Sequence, residues 1–160
     1  MQRTRDYYVK LGLDNPYRWA HYDEVPFTPL AKPLSLSRLA LITTAAPYRP
    51  GLGDQGPGAK YNAAAKFYTA YTGSTDAEPD LRISHLTYDR KHTRAEDPNT
   101  WFPLARLHEA VRSGRVGALT PRFYGSPTNR SQRVTIERDA PEILARCRED
   151  GADVALIVPT

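Results

Sequence analysis

The residues Ala152-Asp153-Val154-Ala155-Leu156-Ile157-Val158-Pro159-Thr160, which follow a glycine, Gly151, contain an unbroken apolar run from Val154 to Val158. The run is too short for a helix and too continuous for a strand with one wet face, so it reads as a buried strand of a parallel sheet. Few features narrow a fold more. Parallel strands cannot be joined by tight hairpins and need crossover connections, usually helices. In open sheets of this kind ligands bind just beyond the carboxyl ends of the strands. The site is therefore expected where this run stops, at Thr160, with another chain or a further segment supplying its last piece.

The rest of the chain supplies the expected partners. Leu39-Ala40-Leu41-Ile42-Thr43-Thr44 reads as a central strand ending in two hydroxyls, and Leu81-Arg82-Ile83-Ser84-His85 as a second strand. Phe102 to Arg112 carries apolar residues at helical spacing, with Pro103 in a tolerated first-turn position and Gly114 past the end. Val116 to Tyr124 is expected to be a third strand, leaving at Gly125-Ser126-Pro127. Pro141 to Asp150 is expected to be a helix capped by Asp139 and stopped by Gly151. The alanine-rich stretch from Ala59 to Thr72 is expected to be helical. The implied fold class is α/β: residues 38–160 as a mostly parallel open sheet with crossover helices in three flavodoxin- or Rossmann-like layers. Residues 1–37 hold Tyr7, Tyr8, Tyr17, Trp19 and Tyr22, then Pro26, Pro29 and Pro33. Prolines at that spacing break helices, so an extended arm is expected. Its aromatics would clamp the domain or a second subunit, or stack on a ligand.

Composition excludes several classes. A chain of 160 residues, 40% hydrophobic, suits one domain. No stretch approaches the roughly 20 apolar residues of a membrane span, and no signal-peptide core follows the N-terminus, so a cytoplasmic protein with no membrane partner is expected. The single cysteine, Cys147, rules out an internal disulfide framework. The net charge of +4 would suit nucleic acid. The C-terminal arginines, however, alternate with Glu109, Glu137, Asp139, Glu142, Glu149 and Asp150, the mark of a solvated face, and no nucleic-acid partner is expected.

Two patches carry candidate chemistry. Gly51-Leu52-Gly53-Asp54-Gln55-Gly56 matches the dinucleotide fingerprint. It begins several residues beyond its strand, however, with Pro57-Gly58 where a helix should be running, and a plain loop fits better. His85-Leu86-Thr87-Tyr88-Asp89 is more informative. If the second strand ends near His85, an imidazole, a phenol and a carboxylate lie at the carboxyl edge of the sheet, where an acid or base meets a ligand. Thr43, Thr44, Tyr124 and Ser126 would join them from neighbouring strands. The plain alternative is that His85 ends a strand and Asp89 holds the loop through backbone amides. No metal site is expected, because His85 and His92 are separated by a loop and no paired-cysteine or H-E-x-x-H pattern occurs. His21 and His108 are expected at the surface, and Cys147, inside a helix, is expected to be inert.

Laid out in this way, the sequence resembles the selenoprotein B family of glycine, sarcosine, betaine and D-proline reductases, and within it the small proline reductase subunit, from about Phe27 to Thr160. The likeness rests on Leu39 to Ala45, on Ile83-Ser84-His85 with Tyr88-Asp89, on Asp97-Pro98-Asn99 leading to Phe102-Pro103, on Arg106, and on Asp150 to Leu156. The ordered string S-H-x-x-Y-D then D-x-N-x-x-F-P is its most specific part. The resemblance implies reductive cleavage of a C–N bond in a small amino acid or related amine. A selenocysteine or cysteine attacks the α-carbon, the amine leaves, and thiols regenerate the enzyme. It also implies a pocket lined by Thr43, Thr44, Tyr88, Asp97, Asn99, Tyr124 and Ser126, with His85 as acid or base and Asp89 orienting it. In the family the nucleophile follows the last strand, so no cofactor is expected within residues 1–160, and the selenocysteine or cysteine is expected from a segment outside them. The expected partners are an amino-acid-like substrate and either a second copy or another reductase subunit. The alternative is a non-catalytic binding or assembly subunit completed by a partner chain.

Overall fold

The structure, a computed structural model, describes residues 2–12, 22–26, 28–48, 67–84, 96–127 and 131–159. In chain order the elements are α1 (Gln2–Lys10), β1 (Arg38–Thr43), β2 (Ala46–Pro47), β3 (Tyr71–Ser74), β4 (Leu81–Arg82), α2 (Leu104–Arg112), β5 (Ala118–Leu119), β6 (Arg122–Gly125), α3 (Gln132–Val134), α4 (Ala140–Glu149) and β7 (Val154–Val158). The α/β expectation holds. β1 is the central strand, pairing in parallel with β7 on one side and with β5 and β6 on the other. β3 closes the far side, antiparallel to β6.

β1 is buried from Leu39 to Thr43 because both its faces are covered. Side chains alternate across a sheet, so Leu39 and Leu41 enter one core with Leu104 and Leu107 of α2, while Ala40 and Ile42 meet Ile143 and Cys147 of α4 on the opposite face. β6 follows the same rule: Phe123 joins the first core and Tyr124 the second. On the first face Phe102 and Tyr71 both stand edge-on to Phe123, with ring centroids 4.8 and 6.0 Å away.

Several expectations need correction. The third strand is two: β5 pairs with Arg38 and Leu39, β6 with Ile42 and Thr43, and the chain steps out between them at Thr120-Pro121. Proline has no N–H for the ladder, so an interruption there follows from covalent structure. The second strand is shorter than expected and lies outside the main sheet: β4 forms an antiparallel ribbon with β2. Residues 59–66, which hold the alanines of the expected helix, lie outside the described residues, and Tyr71 and Thr72 at the end of that range are strand residues. The N-terminal arm opens with a helix, α1, although its prolines at 26, 29 and 33 do lie outside α-helix.

The last helix begins earlier than expected. Ser131 is the N-cap, its hydroxyl accepting the Val134 N–H, and the helix widens into a π-turn at Thr135–Asp139 before α4. Pro141 explains the widening. In a regular helix its ring would strike the carbonyl of Glu137, and the wider turn, with the Ala140 N–H reaching Thr135 O, relieves the clash. Asp139 is thus within the helix, fully buried and paired with Arg138. Gly114 and Gly151 end α2 and α4 with φ of 72° and 69°, as their expected stop role requires.

β7 pairs in register with Leu39 to Thr43, yet it is not wholly buried. Val154, Leu156 and Val158 pack toward the α2 face, while Ala155 and Ile157 are exposed on the α4 face, Ile157 by 63%.

Candidate functional site

The carboxyl ends of β1, β6 and β7 come together as the fold class predicts. Register places Thr43 opposite Gly125 on one side and Val158 on the other. The Ser126 N–H donates to Thr43 O at 2.7 Å, so Thr43, Thr44 and Ser126 share one edge. Thr43 is fully buried, and its Oγ1 accepts the Ala45 N–H at 3.1 Å. That side-chain turn, typical of a hydroxyl residue leaving a strand, redirects the chain from β1 into β2.

Tyr71, which no sequence motif singled out, belongs to this edge. It pairs with Gly125, and its hydroxyl donates to Ala45 O at 2.7 Å. Burial pushes its phenol well above the usual tyrosine range, so it acts here as a neutral donor. Its ring needs Gly125: a Cβ there would sit 1.7 Å from Tyr71 Cε1. No period or motif announced this contact, because it joins residues 54 positions apart through an antiparallel pairing.

The β2–β4 ribbon begins just past this edge. Arg82, 1% exposed, pairs with Asp80, donates to Leu81 O at 3.0 Å and stacks 4.8 Å from the centroid of Tyr48. Desolvation lowers its pKa, a cost that the aromatic face and the carboxylate offset. Ser84 follows, buried, its Oγ without a hydrogen bond among the described residues. His85, Tyr88 and Asp89 lie outside the described residues, as do His21, His92 and the Gly51–Gly56 loop.

The other expected site residues lie elsewhere. Tyr124 is fully buried beneath α4, and its hydroxyl donates to Asp150, whose carboxylate also accepts Nε and a terminal nitrogen of Arg122 at 2.8 and 2.9 Å. Burial raises its pKa, and Arg122 lowers that of Asp150. The group ties β6 to the end of α4 rather than facing a ligand. Asp97 and Asn99 sit ahead of α2: Asp97 Oδ1 accepts from the Asn99 N–H and from Nδ2, at 3.0 and 2.8 Å, as an N-cap does. Asn99 also lines a groove of about 460 Å³ between α2 and residues 75–79, with Asp76, Glu78, Phe102 and His108. His108, expected at the surface, is half-buried, with Nε2 2.8 Å from Thr75 O.

Cys147 is buried on α4, and desolvation pushes its thiol up, so it is a poor nucleophile. The arginines of the C-terminal half are paired as their spacing suggests: Arg106 with Glu109, Arg133 with Glu137, Arg146 with Glu142. No described helix is long and apolar enough to cross a membrane. Among the described residues no cluster of three or more metal-ligating side chains occurs.

A parallel α/β sheet with hydroxyls at the carboxyl ends of its strands defines the class, a domain whose ligand site is expected at that edge. Two curated proteins are similar to this chain. One, "Glycine reductase complex component B subunit gamma" of Symbiobacterium thermophilum, is 24% identical over 144 residues, 90% of this chain and 33% of that protein. The protein of the same name from Carboxydothermus hydrogenoformans is 24% identical over 140 residues, 87% of this chain and 32% of its own length. The chain thus spans about a third of the length of the curated relatives it matches. Both are glycine reductase component B subunits, and neither is a proline reductase. No family model matches the chain, and no solved structure does.

Proposed function

We propose that this chain is a subunit of a reductase complex of the glycine reductase component B kind, holding a small amino acid or related amine at the carboxyl edge formed by Thr43, Thr44 and Ser126. The observation that carries the reading is the alignment of 90% of the chain with a component B subunit. The observed edge supports it, because the backbone bond from Ser126 to Thr43 sets the half-buried Thr44 and Ser126 at the rim where a parallel sheet binds ligands. His85 is the acid that protonates the departing amine, oriented by Asp89, and Tyr88 completes the pocket. The C–N bond breaks as a thiolate or selenolate forms a bond to the α-carbon; a thiol then attacks the sulfur or selenium, the bond to the α-carbon breaks as that carbon takes a proton, and a second thiol reduces the mixed bond, freeing the nucleophile and leaving a disulfide. Cys147, the chain's single cysteine, is buried with a raised pKa. The attacking group is therefore supplied by a different polypeptide segment.

Binding and chemistry can be tested apart. Titration of the isotope-labelled chain with glycine, sarcosine, betaine and D-proline should shift the amide resonances of Thr44, Ser84 and Ser126 for at least one of them. If all four leave those resonances unmoved, the pocket is wrong. The role of His85 is tested by His85→Ala in the assembled complex with its nucleophile-bearing subunit: turnover should fall at least about 100-fold, and normal turnover removes His85 from the mechanism.

The second reading, a non-catalytic assembly subunit, is favoured by the inert Cys147 and by the bare edge of β7. Binding of none of the four amines, together with stable association with the nucleophile-bearing subunit, would decide for it.

A further inference from the structure

We propose that Ser84 binds the acid group of the ligand, its buried hydroxyl donating to a carboxylate on the face of the β2–β4 ribbon that also carries Thr44 and Arg82. This rests on the proposed amine-binding edge and adds the part of the ligand that is read there. Ser84 is 3% exposed, and its Oγ has no hydrogen-bond partner among the described residues. Buried hydroxyls are nearly always paired, because an unpaired one has given up its bonds to water for nothing. The other buried serine and threonines among the described residues obey that rule. Ser37 donates to Pro33 O, Thr75 to Thr120 O and Thr120 to Arg122 O, at 2.9, 2.7 and 2.7 Å, and Thr43 accepts the Ala45 N–H. Ser84 is the exception, and it lies at the end of the ribbon nearest the candidate edge.

Register and packing place it there. Ala46 is opposite Arg82 and Pro47 opposite Leu81 in an antiparallel pair, so going back along the chain toward Thr44 corresponds to going forward toward Ser84. Ala45, Leu81 and Ile83 belong to one core. Side chains alternate along an extended chain, so Thr44 and Ala46 fall on the opposite face, as do Arg82 and Ser84. Ala46 packs there with Phe67. One face of the ribbon thus carries the half-buried Thr44 hydroxyl, the unpartnered Ser84 hydroxyl and a buried guanidinium.

Those groups select an anion. The Arg82 side chain is 1% exposed and that of its partner Asp80 is 40% exposed, so solvent screens the acid more than the base and the buried side keeps a positive field. A hydroxyl bond to a carboxylate is charge-assisted, and it is stronger where water is shut out. An ammonium there would meet the wrong sign. The ligand is therefore directed, with its carboxylate toward Ser84 and its amine away from Arg82.

Acetate and glycinamide separate the acid from the amine. At an ionic strength held constant with chloride, acetate should shift the Thr44 and Ser84 amide resonances of the isotope-labelled chain saturably, and glycinamide, which lacks the acid, should not. Ser84→Ala should weaken acetate binding, read at Thr44, at least about tenfold. Without ligand the same variant should melt within about 3 °C of the wild type, because an unpartnered hydroxyl holds nothing together. Should it fold poorly, Ser84→Cys puts a weaker donor of similar size in its place and should weaken acetate in the same direction. The proposal is overturned by acetate that binds neither chain, by acetate that binds wild type and variant alike, or by a larger fall in melting temperature, which would make the hydroxyl a structural bond. Failure of the amine-binding reading looks different: acetate binds through Ser84 while glycine, sarcosine, betaine and D-proline do not bind. If instead glycine shifts Thr44 and Ser126 equally in wild type and Ser84→Ala, that reading stands and the carboxylate contact falls.

Discussion

The two ends of the sheet solve the same problem in opposite ways. β3 is short and polar and is held by aromatic contacts that cross the sheet: Tyr71 stacks on Phe67 and Phe123, rests on Gly125, and its hydroxyl bonds to Ala45. β7 is a run of aliphatic residues held by its pairing with β1 and, at its start, by Asp153 with Arg38 and Lys32. An edge made of specific side-chain contacts is hard to alter and has little to offer a partner. An edge made of ladder and exposed apolar surface tolerates change and invites pairing.

Substitutions should separate the two. Phe123→Ala removes the ring on which both Tyr71 and Phe102 lean, and should cost about 3–5 kcal/mol, read by urea denaturation as a lower midpoint. A cost below about 1 kcal/mol would mean that β3 is not anchored by its aromatics. Acidification should loosen the β7 end. Asp150 and Asp153 both have depressed pKa values, the first from hydrogen bonds to Arg122 and the second from the Arg38 N–H. A carboxyl depressed in the folded state contributes stability that is full above the unfolded value near 4 and is lost as pH falls through the folded value. Amide exchange below about pH 4 should therefore rise at Val154 and Ala155 sooner than at Thr72 and Gly73. Equal protection at both edges would contradict this. The smallest effect belongs to Ile157→Ala, which at 63% exposure should change the stability read by urea denaturation by no more than about 0.5 kcal/mol.

What the sequence made legible was governed by local rules. α2, the glycine stops, β1 and the strand at β7 follow from periodicity and φ requirements confined to a few residues. What it hid depended on distant partners. Tyr71 carried no strand signal of its own, and only its pairing with Gly125 made it a strand residue. Tyr124 looked like a pocket residue because it ends a strand. Strand alternation sends it to the α4 face instead, and Asp150 then claims its hydroxyl. Asp139 resembled a cap because a proline follows two residues later. Ser131 is the actual start, since a π-turn lets the helix run through that proline. Thr43, Thr44 and Ser126 were legible as an edge because a parallel fold leaves them no other place.

That π-turn also makes length, rather than composition, the constrained property of the last helix. A widened turn holds about one residue more than a regular one, so the sequence pattern after it is displaced by one residue while the helix keeps its course. Ile143 and Cys147 beyond the turn lie over Ala40 and Ile42. Exchanging exposed residues such as Arg133 or Glu137 alters only the surface. Removing a single residue between 135 and 138 would close the turn to a regular one and bring the Pro141 ring against the carbonyl one turn before it, whichever amino acid was taken out.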